Sequence, residues 1–126
     1  TISSVRQELL TRQRRFAQNP DPDKDGAILD GRDIGTVVCP NADFKLFIMA
    51  ELEIRAKRRW KELLQRDQTV IYCEVLEEMR SRDERDTNRK DAPLVVTSDA
   101  MVIDTSNKSI DVSFNEAKNW ILSRRF

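Results

Sequence analysis

Apolar residues recur along this chain with two spacings. Val5, Leu9 and Phe16 fall at helical intervals, and Ser4 with Gln7 forms an S-x-x-Q capping box that predicts a helix opening at Ser4. Asn19-Pro20-Asp21-Pro22-Asp23 stops that helix. Ala27-Ile28-Leu29 is a short apolar run with the β-branched Ile28 and glycines on both flanks, and it predicts a buried strand. Phe44-Lys45-Leu46-Phe47-Ile48-Met49 predicts a second strand, and Met101-Val102-Ile103-Asp104 a third. Between these lie helical stretches from Glu51 to about Gln65 and from Ile71 to about Asp86. A last helix runs from Ser109 to the end of the sequence, with Ile110, Phe114, Ala117 and Ile121 on one face. Strands alternating with helices predict an α/β fold with a parallel sheet. No internal repeat or low-complexity segment interrupts the pattern.

At 126 residues, 39% of them hydrophobic, the chain is about one domain long and can fill a core. Lys and Arg number 22, Asp and Glu also 22. This balance denies the chain a bulk electrostatic grip on nucleic acid or on an anionic membrane. No apolar run approaches the length of a membrane span and no signal-peptide pattern opens the sequence, so a cytoplasmic protein is expected. The sequence contains no histidine. Histidine bases, Ser-His-Asp and Cys-His sites and His-ligated metals are therefore excluded. Cys39 and Cys73 lack the spacing of a zinc site or a disulfide framework, and are expected to be buried thiols.

The charge pattern is more informative than the charge sum. Arg55, Arg58 and Arg59 fall at i, i+3, i+4 and share a helix face, as do Arg82, Arg85, Asp86 and Arg89. Solvated surfaces with Glu51–Arg55 and Glu78–Arg82 pairs would account for both. The second stripe, however, has Arg80, Arg82, Arg85 and Arg89 within ten positions, where lysine would serve solubility equally well. Arginine forks suit bidentate binding of phosphate or carboxylate. The other candidate is Asp30-Gly31-Arg32-Asp33, which follows the first expected strand. Open α/β sheets bind ligands at the C-terminal ends of their strands. There Gly31 allows close backbone approach, Arg32 offers a phosphate fork and Asp33 an acceptor. A plain turn with a local Asp–Arg pair is the alternative.

Asp30-Gly31-Arg32-Asp33-Ile34-Gly35-Thr36-Val37-Val38-Cys39-Pro40 resembles the D-G-R-D-x-G-T-V-V-x-P stretch of bacterial cytidylate kinases. Arg55-Ala56-Lys57-Arg58-Arg59 resembles that family's E-R-A-x-R-R lid helix, with Ile54 where Glu is usual. Arg82-Asp83-Glu84-Arg85-Asp86-Thr87-Asn88-Arg89 resembles R-D-x-R-D-x-N-R, and Ala92-Pro93-Leu94 follows in register. The resemblance implies a nucleoside-monophosphate-kinase-like parallel sheet flanked by helices, with a helical lid. It implies transfer of a phosphoryl group from ATP to CMP or dCMP, with Mg²⁺ on the donor phosphates. By the same resemblance Arg6, Asp33 and Arg89 read the cytosine. Arg32 holds the acceptor phosphate with Arg89 nearby, and Arg82 and Asp86 hold the pentose. Arg55, Arg58 and Arg59 close over the donor nucleotide. Arg32, Arg58, Arg82 and Arg89 are thus the expected catalytic residues.

The family also implies a Gly-rich P-loop and a nucleotide-monophosphate insert, and neither is found here. Gly26, Gly31 and Gly35 are the only glycines, and no G-x-x-x-x-G-K pattern contains them. The chain therefore resembles the C-terminal portion of such a kinase, expected to be inactive alone and monomeric when intact. Residues 1–50 and 91–126 would form core parts, and 51–90 the lid and acceptor-site helices. The family's P-loop strand lies between the strands expected at Ala27–Leu29 and Leu46–Ile48, so these two are expected not to pair directly. A non-catalytic nucleotide- or anion-binding module is the alternative function. RNA binding is disfavoured by the zero net charge and the 6% aromatic content.

Overall fold

The computed structural model describes residues 3–66, 69–88 and 93–124. Helix α1 spans Ser3–Gln18, strand β1 Leu46–Met49, helix α2 Leu52–Gln65, helix α3 Tyr72–Thr87, strand β2 Met101–Asp104 and helix α4 Ile110–Ser123. A π-helical turn, Ile34–Val38, precedes β1. Four of the expected helices and two of the three expected strands are present. Ser4 already lies within α1, so it is not the cap, which needs non-helical backbone. Ser109 does cap α4, its hydroxyl accepting from the Val112 amide at 3.3 Å.

Strands β1 and β2 are parallel, in the register Leu46–Met101, Phe47–Val102, Ile48–Ile103 and Met49–Asp104. Two further backbone bonds extend the ladder, Met101 N–H to Lys45 O at 2.9 Å and Thr105 N–H to Met49 O at 2.8 Å. Parallel neighbours need a crossover connection, and α2 with α3 provides it. The core lies along this unit. Ile103 on β2 and Ala56 on α2 are fully buried, and Val75 on α3, Ala50 and Val38 are nearly so. At its outer side Trp60 and Tyr72 meet edge to face at 6.0 Å, and the Trp60 indole N–H donates to the Val70 carbonyl at 3.0 Å.

Three expectations are corrected. Ala27–Leu29 is irregular rather than a strand, and the Ile28 side chain is 95% exposed. A strand needs a hydrogen-bonded neighbour, and the two-stranded sheet does not reach this segment. Among the described residues no strand pairing joins it to Leu46–Ile48. On α4 the covered face is displaced from the expected one. Ile110 and Phe114 are exposed, whereas Ala117, Trp120 and Ile121 are half-buried. Trp120 fixes this rotation, meeting Phe44 edge to face at 5.9 Å and carrying the Arg124 guanidinium 4.7 Å above its ring. Finally, Cys39 is half-buried and Cys73 is exposed on α3, so neither is a buried thiol.

Candidate functional site

The Asp30–Asp33 segment leads directly into the π-helical turn. Its defining bonds run five residues back, Val38 N–H to Asp33 O at 3.2 Å and Cys39 N–H to Ile34 O at 2.7 Å. Such turns are rare and concentrate at functional sites. Two contacts hold this one in place. Arg14 on α1 donates through Nη2 to Val37 O at 2.8 Å and through Nε to Val38 O at 3.2 Å, satisfying carbonyls at the end of the turn. Ile34 folds back over Gly31, where an added Cβ would lie 2.9 Å from Ile34 Cγ1. Glycine at position 31 thus answers a steric requirement, because any side chain would displace Ile34.

Arg32 projects from this turn to the end of α3. Its Nε lies 2.5 Å from Asp86 Oδ2. The Asp86 side chain is only 4% exposed, while that of Arg32 is 39% exposed. The oxygen is shut off from solvent and the N–H is not aligned on it, so charge attraction rather than a well-directed hydrogen bond joins the two. The backbone fixes the same place, since the Asp86 carbonyl accepts from the Leu94 amide at 3.0 Å. Asp33 is half-buried, and its carbonyl, not its carboxylate, anchors the turn.

The inward-facing carboxylates of α3 are Asp83 and Asp86, one helical turn apart. Arg82 and Arg85 flank them, exposed, so the expected Arg82–Arg85–Asp86 face is split between solvent and interior. Asp83 takes a bidentate fork from Arg55 on α2, with Nη1–Oδ1 at 3.1 Å and Nη2–Oδ2 at 2.6 Å. Arg55 Nε also donates to Ala50 O at 2.8 Å. Among the described residues, neither expected pair, Glu51–Arg55 or Glu78–Arg82, forms. A bidentate fork across two helices satisfies Arg55 better than one contact along its own helix.

The arginines of α2 go to three different partners. Arg58 clamps Thr105 just beyond β2, through Nη2 to the carbonyl at 2.5 Å and Nη1 to Oγ1 at 3.1 Å. Thr105 Oγ1 in turn donates to Met49 O at 3.1 Å, so Arg58 ties α2 to the C-terminal ends of both strands. Arg59 pairs with Glu62 at 2.9 Å, which also meets Arg66 at 2.9 Å. The Arg59 hydrogen bond holds the Glu62 carboxyl below its ordinary range. Beside Thr105, Asp104 accepts from Ser106 Oγ at 2.6 Å and its amide at 2.8 Å, which lowers its pKa as well. At the opposite end of the strands, Lys45 pairs with Asp99 at 2.7 Å and depresses its pKa.

The structure therefore unites Arg32 with Asp86, and Arg55 with Asp83. It does not gather the nine expected site residues into one cluster. Arg6 is exposed on α1, Arg82 is exposed on α3, and Arg89 lies outside the described residues. Thr105, Asp83 and Arg14 were not singled out from the sequence. A hydroxyl immediately after a strand and an Asp one turn before Asp86 were the available signals. Among the described residues no group of three His, Cys, Asp or Glu side chains could hold a metal ion. No helix among them is long and apolar enough to cross a membrane.

Parallel strands joined through two helices define a small α/β protein. The comparisons with known proteins make this specific. The profile of the cytidylate kinase family matches residues 1–121. A cytidylate kinase of Paramagnetospirillum magneticum is 55% identical over 125 residues, covering 99% of this chain and 59% of that protein. Cytidylate kinases of Azorhizobium caulinodans and Brucella ovis are 53% and 49% identical, over 90% and 95% of this chain and 53% of each relative. The chain belongs to the cytidylate kinase family, and it spans a little over half the length of these relatives.

Proposed function

We propose that this chain is the acceptor-side and lid portion of an enzyme that phosphorylates CMP and dCMP with ATP. The observation that carries this reading is the family's Asp30–Asp33 motif folded into a braced turn, with Arg32 held against a buried carboxylate. A phosphate arriving at Arg32 would meet a cation with a fixed stem and exposed nitrogens. Phosphoryl transfer requires little covalent chemistry from the protein, and positioning with charge neutralisation is what such arginines supply. On this reading Arg6, Asp33 and Arg89 contact the cytosine, and Arg82 and Asp86 the pentose. Residues 1–50 and 91–126 serve as core parts, and 51–90 carry the lid and acceptor helices. The intact enzyme works as a cytoplasmic monomer, without nucleic-acid or membrane partners.

The donor side differs. ATP and Mg²⁺ are the co-substrate and ion this reading requires. The described residues offer no carboxylate cluster for the ion, and the sequence has no G-x-x-x-x-G-K cradle for the triphosphate. No step is therefore assigned to Mg²⁺ on these residues. Arg58 and Arg59 are already engaged with Thr105 and Glu62, so contact with a donor phosphate would require each to exchange partners.

The test is a chimera in which these 126 residues replace the matching segment of the Paramagnetospirillum relative. Coupled ADP-release assays should show turnover that depends on CMP or dCMP. In that chimera Arg89→Lys should lower kcat/KM for CMP by at least about 10-fold, as a point charge replaces a planar fork. A folded chimera that releases no ADP when CMP is added would refute the assignment.

A further inference from the structure

We infer that Arg14 is a positioning residue for base recognition, acting through the π-helical turn. This rests on the proposed reading of Arg6 and Asp33 as cytosine contacts. Those two residues stand on different elements, Arg6 on α1 and Asp33 at the entry to the turn. Apolar packing does little to fix one element against the other. Val5, Leu9 and Phe16 on α1 are all more than half exposed. An open groove of about 300 Å³, lined by Arg12, Gln13 and Phe16 of α1 and by Leu29, Asp30 and Ile34, lies between the helix and the segment that carries the motif. The Arg14 guanidinium makes the crossing, with Nη2 donating to Val37 O at 2.8 Å and Nε to Val38 O at 3.2 Å. The amides of these same two residues donate to the Asp33 carbonyl, at 2.8 Å and 3.2 Å. Val38 is 3% exposed, so the far end of the turn is fixed in the core. A side chain of α1 is thereby linked, through the peptide groups of one turn, to the residue proposed to read the base.

The link matters because base selection depends on spacing. The turn uses the Asp33 carbonyl and makes no cap bond to its side chain. A carboxylate there accepts from the exocyclic amino group of cytosine and repels the carbonyl that uracil carries instead. Arg6 lies about 12 Å farther towards the N-terminus of α1, so a tilt of the helix at Arg14 moves it away from Asp33. Recognition of the base therefore needs the two elements held in register as well as the two side chains. Transfer at the phosphate makes no such demand on α1. Loss of Arg14 should act on KM and on the choice of base, and leave kcat nearly alone.

The test uses the chimera, with CMP and UMP as acceptors. Arg14→Met removes the fork and keeps much of the side chain's bulk. It should raise KM for CMP at least about 5-fold while kcat changes less than about 2-fold. The ratio of kcat/KM for CMP over UMP should fall at least about 3-fold. Arg14→Lys replaces the planar fork by a point charge, so it should give an intermediate loss, and it serves if the Met variant does not fold. Arg15→Met removes the neighbouring exposed arginine of α1 and should leave KM and the base ratio at their wild-type values. In the ¹⁵N-labelled 126-residue chain, Arg14→Met should speed exchange of the Val37 and Val38 amides at least about 10-fold. Unchanged KM and base ratio in a folded Arg14 variant would overturn the proposal even where Tm falls, since Arg14 would then only stabilise the fold. An equal loss in Arg15→Met would overturn it too, by assigning the effect to charge on α1. Unchanged exchange of the two amides, with the kinetic loss present, would overturn the route through the turn. A folded wild-type chimera without CMP-dependent turnover would overturn it through the proposed function, even where Arg14→Met still speeds the amides.

Discussion

Two regions of this molecule carry similar apolar patterns and meet different fates. In the unit of β1, α2, α3 and β2, one face is covered, down to complete burial of Ile103 and Ala56, while Ile48, Met49 and Val102 on the strands stay 57%, 43% and 45% exposed. Cross-element bonds from Arg55 and Arg58 close the unit at its edges. On α1, the stripe of Val5, Leu9 and Phe16 is more than half exposed, and the apolar Ala27–Leu29 run beyond it pairs with nothing. Arg14, reaching the π-helical turn, tethers that helix through its guanidinium. Periodicity reports which face a segment is suited to bury. Whether it is buried depends on a second surface.

The largest contrast should appear in truncation of apolar side chains. Ile103→Ala removes a fully buried side chain between the strands and helices, and should destabilise the chain by about 2–5 kcal/mol in urea or thermal unfolding. Arg55→Ala, which removes the fork to Asp83, should cost about 1 kcal/mol, since both partners are partly exposed and solvent screens the pair. A change under 0.2 kcal/mol would make that fork incidental to the packing of α2 on α3.

Acid should act on the fold through its bonded carboxylates. Glu62, Asp99 and Asp104 have folded pKa values below their ordinary 4.5, 3.8 and 3.8, because of bonds from Arg59, Lys45 and Ser106 respectively. A depressed folded pKa contributes stability that is present in full above the ordinary value, and it is lost as pH falls through the folded one. Tm should therefore decline as pH drops through and below 4.5, and the decline should shrink in high salt. A Tm that rises over this window would contradict these pairings. The smallest effect belongs to α1: Leu9→Ala, at a position 55% exposed, should change stability by no more than about 0.5 kcal/mol. A loss comparable with that of Ile103→Ala would erase the distinction between the two regions.

Much of this was legible in the residues. Met101–Asp104 was placed to the residue, and α2 and α3 nearly so, because each is a periodic segment whose partner lies within the described fold. The Ala27–Leu29 strand and the Ile110–Phe114 face failed for one common reason, namely that an apolar residue does not create its own neighbour. The site was legible as motifs and not as contacts. Nothing local to Arg32 indicates that its partner is Asp86, because the pairing depends on how α3 returns to the turn. The inward turn of Asp83 was equally hidden. Its spacing of three from Asp86 competes with the more conspicuous arginine stripe, and only the packing of α2 decides between them. The π-helical turn had no sequence signal beyond the motif that contains it.

Hydrogen exchange on the 126-residue chain, resolved by segment, compares the two regions most directly. Amides of β2 and of the inner faces of α2 and α3 should open only with global unfolding, and those of α1 should exchange at least about 100-fold faster. The amides of Val37, Val38 and Cys39, bonded within the π-helical turn, should follow the slower group. Equal protection across α1 and β2 would contradict the division of the molecule into a packed, ion-tied unit and an uncovered apolar helix.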